Sequence, residues 1–305
     1  MNKLMKITKN ILLSLILIIF IFNIDIIIKS TLDSSILFFT KVFVCVFPYI
    51  ILSDILIYYD YHIFLKHIFG NILSKIFNIN PNASIIFILS IFTASPTNSI
   101  YIKDMIDNKQ IDNYTAQRIL IFTFFSSIPF VIGTIGISLY KSFKIGLLIY
   151  LIMVINNVLI GFILRKDNYS YLPNSIKQAK KDNIFIILKK SILKGIETSL
   201  IILGNLIIFT IIINLFLKYI SINELYSSII CGILEMTNGV IQISLLNINI
   251  ISKILLTIFI LNFTSLSILF QSFSILSKYN INIKKILITK LVFSLPYLLL
   301  AFIFL

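Results

Sequence analysis

Long apolar runs dominate the hydrophobic pattern of this 305-residue chain. A helix needs about 18 or more apolar residues to cross roughly 30 Å of hydrocarbon. Runs of that length lie at about 10 to 28, 36 to 58, 119 to 139, 145 to 164, 196 to 217, 254 to 276 and 286 to 305. In lipid every backbone amide needs an internal partner, so these runs predict transmembrane helices. The chain is therefore predicted to be an all-α polytopic membrane protein.

Two further apolar segments are interrupted by polar residues. Segment 84 to 101 contains SPTN (95–98), and segment 226 to 247 contains EMTNG (235–239). Pro96 removes an amide donor and prevents a helical hydrogen bond. Backbone groups freed in this way are tolerated at membrane depth only against protein or a water-filled cavity. Each segment is therefore either a full span or a re-entrant helical hairpin.

The distribution of basic residues favours the hairpins. The chain carries 26 Lys and Arg against 12 Asp and Glu, and Lys and Arg accumulate in cytoplasmic loops. If both segments crossed the membrane, 12 of the 26 cations would lie inside and 14 outside. If both entered and left on one side, 20 would face the cytoplasm, including those at 278–290. We predict the second arrangement, with two hairpins and a cytoplasmic N-terminus.

Two re-entrant hairpins give the halves of the chain opposite orientations. Residues 49–58 align with 200–209, and 125–127 align with 263–265. These features predict an inverted-topology repeat, an architecture that binds substrate near the bilayer midplane where helices are broken. The predicted domains are an N-terminal transmembrane anchor (1–30), a first repeat (31–167), a basic cytoplasmic connector (168–195) and a second repeat (196–305).

Polar side chains at the breaks are the candidate substrate-binding residues. At the first break these side chains lie beside the start of a half-helix, and the positive N-terminal end of a helix attracts an anion. The alternatives are that the breaks are loop tips at the membrane surface, or that the small polar residues are helix-packing contacts. The candidates are Ser95, Thr97, Asn98, Ser99, Ser126, Ser127, Thr237, Asn238, Thr264 and Ser265.

Two carboxylates within apolar segments, Glu235 and Asp54, are candidate coupling residues. A charge at membrane depth is costly, so it usually faces a cavity, pairs, binds a cation or carries a proton. We expect Glu235 to couple a proton or a cation. For Asp54, a structural hydrogen bond to a neighbouring helix is an equal alternative.

The sequence carries no catalytic or metal-binding motif. HExxH, GxSxG, a Gly-rich phosphate loop and His or Cys clusters at metal spacing are all absent. The basic residues form no aromatic-interleaved module of the kind that binds nucleic acid. We predict that the chain is not an enzyme, has no cofactor or metal, and binds a small organic anion and membrane lipid but no nucleic acid. Homo-oligomerisation stays open.

An ordered set of motifs resembles one family. The set comprises VFPYIILSDILIYY (46–59), IFTASPTNSIYIKDMIDNKQIDNYTAQRILIFTFFSSIPFVIGTIGI (91–137), INNVLIGFILRK (155–166) and GILEMTNGVIQIS (232–244). It resembles the YlbJ (SpoVV) family of sporulation integral membrane proteins, within the nucleoside-recognition or Gate-domain group that is similar to concentrative nucleoside transporters. The chain departs from that family's glycine-rich stretch with TASPTNS (93–99), and from its glycine- and histidine-marked final motif with NFTSLSILFQSFSIL (262–276).

The resemblance implies paired re-entrant hairpins and a sporulation role, in which dipicolinic acid moves across the outer forespore membrane. We therefore expect a transporter or facilitator of a small organic anion, in the bacterial cytoplasmic membrane or the outer forespore membrane. The alternatives are a nucleoside-type solute transporter and a non-transporting membrane scaffold needed for assembly of the spore cortex or coat.

Overall fold

The computed structural model describes residues 2–59, 61–165 and 183–305. Most of the predicted connector, up to residue 182, lies outside the described residues. The described chain is helical, with three π-helical segments at Phe38–Val42, Lys66–Gly70 and Pro129–Leu139. Its α-helices are α1 (Asn2–Phe22), α2 (Ile24–Leu37), α3 (Phe43–Tyr58), α4 (Tyr61–Leu65), α5 (Asn71–Phe77), α6 (Pro81–Thr93), α7 (Thr97–Asp107), α8 (Asn113–Phe122), α9 (Phe143–Ile163), α10 (Ile184–Tyr219), α11 (Glu224–Leu234), α12 (Met236–Leu245), α13 (Ile250–Phe263), α14 (Leu266–Ile275) and α15 (Ile283–Ile303).

Four helical stretches in the described chain are long and apolar enough to cross a membrane: α9, α10, Ile250–Ile275 and α15. Two bent pairs raise the number to six if each pair is one span: Lys6–Phe22 with Ile24–Val42 at 81°, and Ile63–Phe77 with Pro81–Thr93 at 102°. The prediction of an all-helical polytopic membrane protein is confirmed.

The first apolar run bends at Asn23 instead of forming one straight helix. The Asn23 side chain donates to the carbonyl oxygen of Ile19 at 2.7 Å. Its oxygen accepts from Lys218 Nζ at 2.6 Å and from the Tyr219 hydroxyl at 3.1 Å. A buried amide therefore holds the α1–α2 corner against the end of α10.

Burial separates the central helices from the peripheral ones. In the most apolar window of Ile250–Ile275, 72% of the residues are buried, against 22% in α10 and 22% in α15. In α8, every residue from Thr115 to Phe122 is buried. The α8 and α13–α14 stretches therefore run through the protein interior, and α10 and α15 present broad apolar faces outward.

From α3 onward, a similar order of elements occurs twice, except that α4, Lys66–Gly70 and α5 come before the first interrupted pair and have no counterpart in the second half. A long helix (α3, then α10) is followed by an interrupted pair (α6–α7, then α11–α12). A broken stretch comes next (α8 with Pro129–Leu139, then α13 with α14), and an unbroken helix ends each half (α9, then α15). The halves interlock, because α3 packs on α10 and α9 packs on α13.

Loop contacts identify the two ends of the bundle. At one end, the Tyr279 hydroxyl donates to Asp107, which raises the pKa of Tyr279 to about 12, and the Asn282 amide donates to Gln117 at 3.0 Å. These contacts join the loop after α7 to the loop after α14.

At the other end, the chain after Pro129–Leu139 meets the start of α13. The Tyr140 hydroxyl donates to the carbonyl oxygen of Lys253 at 3.1 Å, and Lys253 Nζ donates to the carbonyl oxygen of Ser244 at 3.0 Å. Residues 113–139 run from the first end to this one, so α7 finishes near one end and α12 near the other.

Candidate functional site

The α6–α7 interruption is joined to the break that follows α8. The Ser95 amide donates to the carbonyl oxygen of Phe125 at 2.8 Å, and the Phe125 amide donates to Ser95 Oγ at 3.3 Å. The Asn98 amide group donates to the carbonyl oxygen and the hydroxyl of Thr123, both at 3.2 Å. Backbone groups of Ser95, Thr123 and Phe125 are thus satisfied by hydrogen bonds between the α6–α7 interruption and the break after α8.

The break after α8 covers residues 123–128 and splits the run 119–139, which we predicted as one span. Pro129 starts the next helical segment, where its missing N–H costs nothing. Ser127 supports that start: its hydroxyl accepts from the Phe130 amide at 3.3 Å, and its carbonyl oxygen accepts from the Val131 amide at 3.0 Å.

The α11–α12 interruption is a single residue, Glu235. Its amide donates to the carbonyl oxygen of Cys231 at 2.6 Å, which ends α11. Its carboxylate accepts from the Asn238 amide at 2.7 Å and so caps α12. A carboxylate at this position also interacts favourably with the helix macrodipole.

The α11–α12 pair folds back on itself as a hairpin. A Cβ atom added to Gly239 would lie 2.1 Å from the Cα atom of Gly232, so only two glycines allow this backbone contact. Glu224, at the start of α11, and Leu245, at the end of α12, line the same surface pocket. The two ends of the pair therefore lie on the same side, with Glu235 at the tip.

The break after α13 is short and polar. Thr264 adopts a left-handed conformation with φ of 62°, and Ser265 precedes α14 without a side-chain cap to that helix. The hydroxyls of Ser265 and Ser267 instead contact each other at 3.1 Å.

Residues at or beside all four interruptions line one cavity of about 60 Å³. Its volume suits a few water molecules or one small polar group. Apolar residues of α10 and of the chain before α3 complete the wall, and Glu235 is the one charged side chain among the described lining residues. The polar lining consists of Ser95, Ser126, Ser127, Glu235, Thr237, Ser267 and Gln271.

The predicted candidates divide into two groups. Ser95, Ser126, Ser127 and Thr237 line the cavity, together with Glu235. The second group is buried or half-buried beside it without lining it: Thr97, Asn98, Ser99, Asn238, Thr264 and Ser265.

Several members of the second group have other partners. Asn238 donates to the Thr210 hydroxyl at 2.8 Å, which ties the second hairpin to α10. Asn98 Oδ1 and Ser99 Oγ are buried acceptors that make no hydrogen bond with the described residues.

No group of three or more His, Cys, Asp or Glu in the described ranges could hold a metal ion.

Asp54 lies outside the cavity. Its carboxylate pairs with Lys194 and accepts from Ser191 Oγ at 2.8 Å, so it links α3 to α10. This geometry provides the structural hydrogen bond that was one of the two roles open for Asp54, and a coupling role stays a prediction.

The list of candidate residues left out two polar residues of α14 that line the cavity, Ser267 and Gln271, and a cation near it, Lys290. Ser267 and Gln271 are four residues apart, and this helical spacing on α14 could have indicated a shared polar face. Lys290 was counted among the cytoplasmic cations, but it lies inside α15 and is fully buried. An apolar run starting at residue 286 could have indicated that placement.

No protein-family model matches the chain, and no solved structure matches it. Among curated proteins, the chain is similar to the "Sporulation integral membrane protein YlbJ" of Bacillus subtilis (strain 168). The two are 21% identical over 289 residues, which cover 82% of this chain and 70% of the relative. This likeness relates the chain to the YlbJ protein, and its long apolar helices support an integral membrane protein.

Proposed function

We propose that this chain is a membrane transporter or facilitator that moves a small organic anion during sporulation, with dipicolinic acid as its substrate. The observation that carries the proposal is the cavity where four interruptions of membrane helices meet. Polar groups at membrane depth are costly, so their collection around one cavity favours binding of a polar solute.

The proposed architecture is an inverted-topology repeat of the Gate-domain type, with two re-entrant hairpins that enter from opposite faces. Two features support it: the order of elements is repeated, and the first hairpin ends near the opposite end of the bundle from the second. In this arrangement the N-terminus is cytoplasmic, and the tips meet near the midplane of the outer forespore membrane.

The hydroxyl groups of Ser95, Ser126, Ser127 and Thr237 would bind the substrate's polar atoms. Helix α14 begins beside the cavity without a side-chain cap, so its N-terminal amides are available to an anion. An anionic substrate is repelled by an ionised Glu235, so this residue would be protonated or cation-paired while substrate is bound. Glu235 is therefore the proposed coupling group for a proton or a cation.

Transport of a whole solute requires the cavity to enlarge. Ligand sites usually have volumes of about 300 Å³ or more, several times the 60 Å³ here. The α11–α12 hairpin is the element proposed to move, because the Ser95–Phe125 hydrogen bonds fix the other tip to its neighbour.

A nucleoside-type neutral solute is the second candidate. The cavity offers hydroxyl groups, an amide and a carboxylate, but no basic side chain among the described lining residues. A carboxylate is a good acceptor for the hydroxyl groups of an uncharged substrate.

The test is uptake into proteoliposomes that contain the purified full-length chain. Labelled dipicolinate is supplied with and without a pH gradient, and excess uridine is the competitor. We expect saturable dipicolinate uptake that uridine leaves unchanged. Competition by uridine favours the second candidate. Dipicolinate binding without flux contradicts transport and favours a non-transporting scaffold.

A further inference from the structure

Lys290 is a cation buried in the protein interior, in the N-terminal half of α15. It lies in α15 with a relative exposure of 0%. Its ammonium group donates to Asn157 Oδ1 at 3.3 Å and lies 5.2 Å from the centroid of the Phe124 ring. Such a cation–π contact partly replaces lost hydration.

Hydrogen bonds connect Lys290 to the wall of the cavity. Asn157, on α9, accepts from Lys290 and donates through its own amide group to the carbonyl oxygen of Phe124 at 2.8 Å. Phe124 belongs to the break after α8, and the next two residues, Phe125 and Ser126, line the cavity. One side chain therefore separates the ammonium group from the backbone that shapes the proposed binding site.

The other ionisable groups on α15 and on the helices around it make contacts elsewhere or are at least partly exposed. On α8, Tyr114 faces Lys285 and Arg118 donates to the carbonyl oxygen of Phe77 at 2.8 Å. On α9, Tyr150 donates to the carbonyl oxygen of Ile91, and on α13, Lys253 donates to that of Ser244. On α15 itself, Lys284 is exposed and Tyr297 is half-buried. No ion pair joins Lys290 to a carboxylate of the described residues.

A lysine in this position differs from an arginine. An ammonium group without a carboxylate partner is costly to bury, and lysine can reduce that cost by releasing its proton to water. A guanidinium group keeps its charge under the same conditions. As a neutral amine, Lys290 would still be able to donate a hydrogen bond, but it would lose the charge assistance that strengthens its bond to Asn157.

We infer that Lys290 is a proton-responsive positioning residue for the break at 123–128. In its charged form it orients Asn157, which holds the Phe124 carbonyl and so sets the cavity wall. Loss of one proton weakens this relay and frees the break to change shape. The protonation of Lys290 is independent of the proposed function, and only its effect on transport rests on that proposal.

The chain contains no tryptophan, so a single tryptophan can report on Lys290. In full-length Phe124→Trp protein in nanodiscs, the indole replaces the ring beneath the ammonium group. Its fluorescence is recorded from about pH 5 to about pH 10, a range that covers a perturbed lysine. We expect one titration step, which is lost in both Lys290→Met and Lys290→Arg. Lys284→Met, which removes an exposed lysine of the same helix, should keep the step.

Absence of a step in the Phe124→Trp protein overturns the inference, as does a step that survives in Lys290→Arg. The arginine variant retains the charge and so provides the test even if Lys290→Met fails to fold. In transport assays, Lys290→Arg should lose the change in dipicolinate uptake that falls in the pH range of the fluorescence step, and should keep substrate binding and the coupling assigned to Glu235. If the fluorescence step is present but the unsubstituted chain moves no anion, the proposed function fails and the protonation of Lys290 stands.

Discussion

The two interrupted segments reach the same cavity with tips of different chemistry. The α6–α7 tip is uncharged, and its hydrogen bonds go to another part of the chain, through Ser95 to Phe125. The α11–α12 tip carries the carboxylate of Glu235, which caps its own second helix through the Asn238 amide. The first tip is therefore fixed to a neighbour, and the backbone of the second is satisfied within the hairpin.

This difference indicates which hairpin can move at low cost. Moving the first tip breaks four hydrogen bonds between segments, two between Ser95 and Phe125 and two from Asn98 to Thr123, each at about 1 kcal/mol or more. Moving the second hairpin as a unit keeps its cap and its glycine contact. Its tip is held from outside by two hydrogen bonds: Asn238 donates to the Thr210 hydroxyl at 2.8 Å, and the Ser126 hydroxyl donates to Met236 Sδ at 3.2 Å. The comparison predicts that the second hairpin is the mobile element.

The largest expected effect comes from disrupting the contact within the second hairpin. In Gly239→Ala, the new methyl group would lie 2.1 Å from the Gly232 Cα atom, which forces the helices apart. We expect a loss of about 3 kcal/mol in the free energy of unfolding. Gly204→Ala is the matched control, because nothing lies within 4 Å of its new Cβ atom. Equal thermal unfolding midpoints for the two variants would contradict the hairpin contact.

A smaller effect is expected from removing the cap of the second hairpin. Glu235→Ala leaves the Asn238 amide without its acceptor, and loss of such a cap costs about 1 to 2 kcal/mol. Chemical denaturation of the purified variant measures this loss. A stability equal to that of the unsubstituted chain would mean that the capping bond contributes nothing.

The same carboxylate should govern coupling. Glu235→Gln keeps a capping oxygen but cannot ionise, so we expect dipicolinate uptake that no longer responds to a pH gradient. The control is Glu224→Gln, which neutralises an acidic residue at the start of the same hairpin. Normal pH-dependent uptake by Glu235→Gln would remove Glu235 from the coupling mechanism.

The first tip should respond differently. Ser95→Ala removes the acceptor of the Phe125 amide but keeps the bond from the Ser95 amide, so we expect a loss of about 1 kcal/mol. Because this bond fixes the tip and involves no ionisable group, the pH dependence of uptake should be retained in Ser95→Ala, unlike in Glu235→Gln. Ser277→Ala, in the loop after α14, is the control for a serine far from both tips. Abolished pH dependence in Ser95→Ala would mean that both tips move.

The smallest effect is expected at Asp54, which touches neither tip. Asp54→Asn weakens the pair with Lys194, whose side chain is 33% exposed, so the loss should stay below about 1 kcal/mol. Uptake and its pH dependence should remain unchanged. A variant that folds normally and has lost coupling would give Asp54 the coupling role instead.

The helix breaks could be predicted from the sequence only where a local signal marks them. The tips at Pro96 and Glu235 were visible because a proline or a carboxylate inside an apolar run conflicts with a lipid-facing helix. The break at 123–128 was hidden inside a run whose total length was sufficient for a span. Its shape depends on Ser95 and Asn157, which are distant in the sequence.

Placement of polar side chains was harder to predict than the breaks themselves. Ser95 lines the cavity, but Asn98, three residues later, turns to Thr123. In helices that are apolar on every side, the sequence has little periodicity to indicate which face is internal. The apolar run that starts at residue 286 places Lys290 inside a span, but neither Asn157 nor the Phe124 ring can be identified as its neighbour from local sequence.

The most direct test of the central claim is the sidedness of the hairpin ends. In a chain with both natural cysteines replaced, single cysteines at Lys109, Ser221 and Asn247 are labelled with a membrane-impermeant maleimide in intact non-sporulating cells that carry the chain in the cytoplasmic membrane. Residues 221 and 247 come just before and just after the second hairpin in the sequence. We expect labelling at both without permeabilisation, and labelling at 109 only after permeabilisation. Labelling of 221 and 247 from opposite sides, or of 109 and 247 from the same side, would contradict two hairpins that enter from opposite faces and meet.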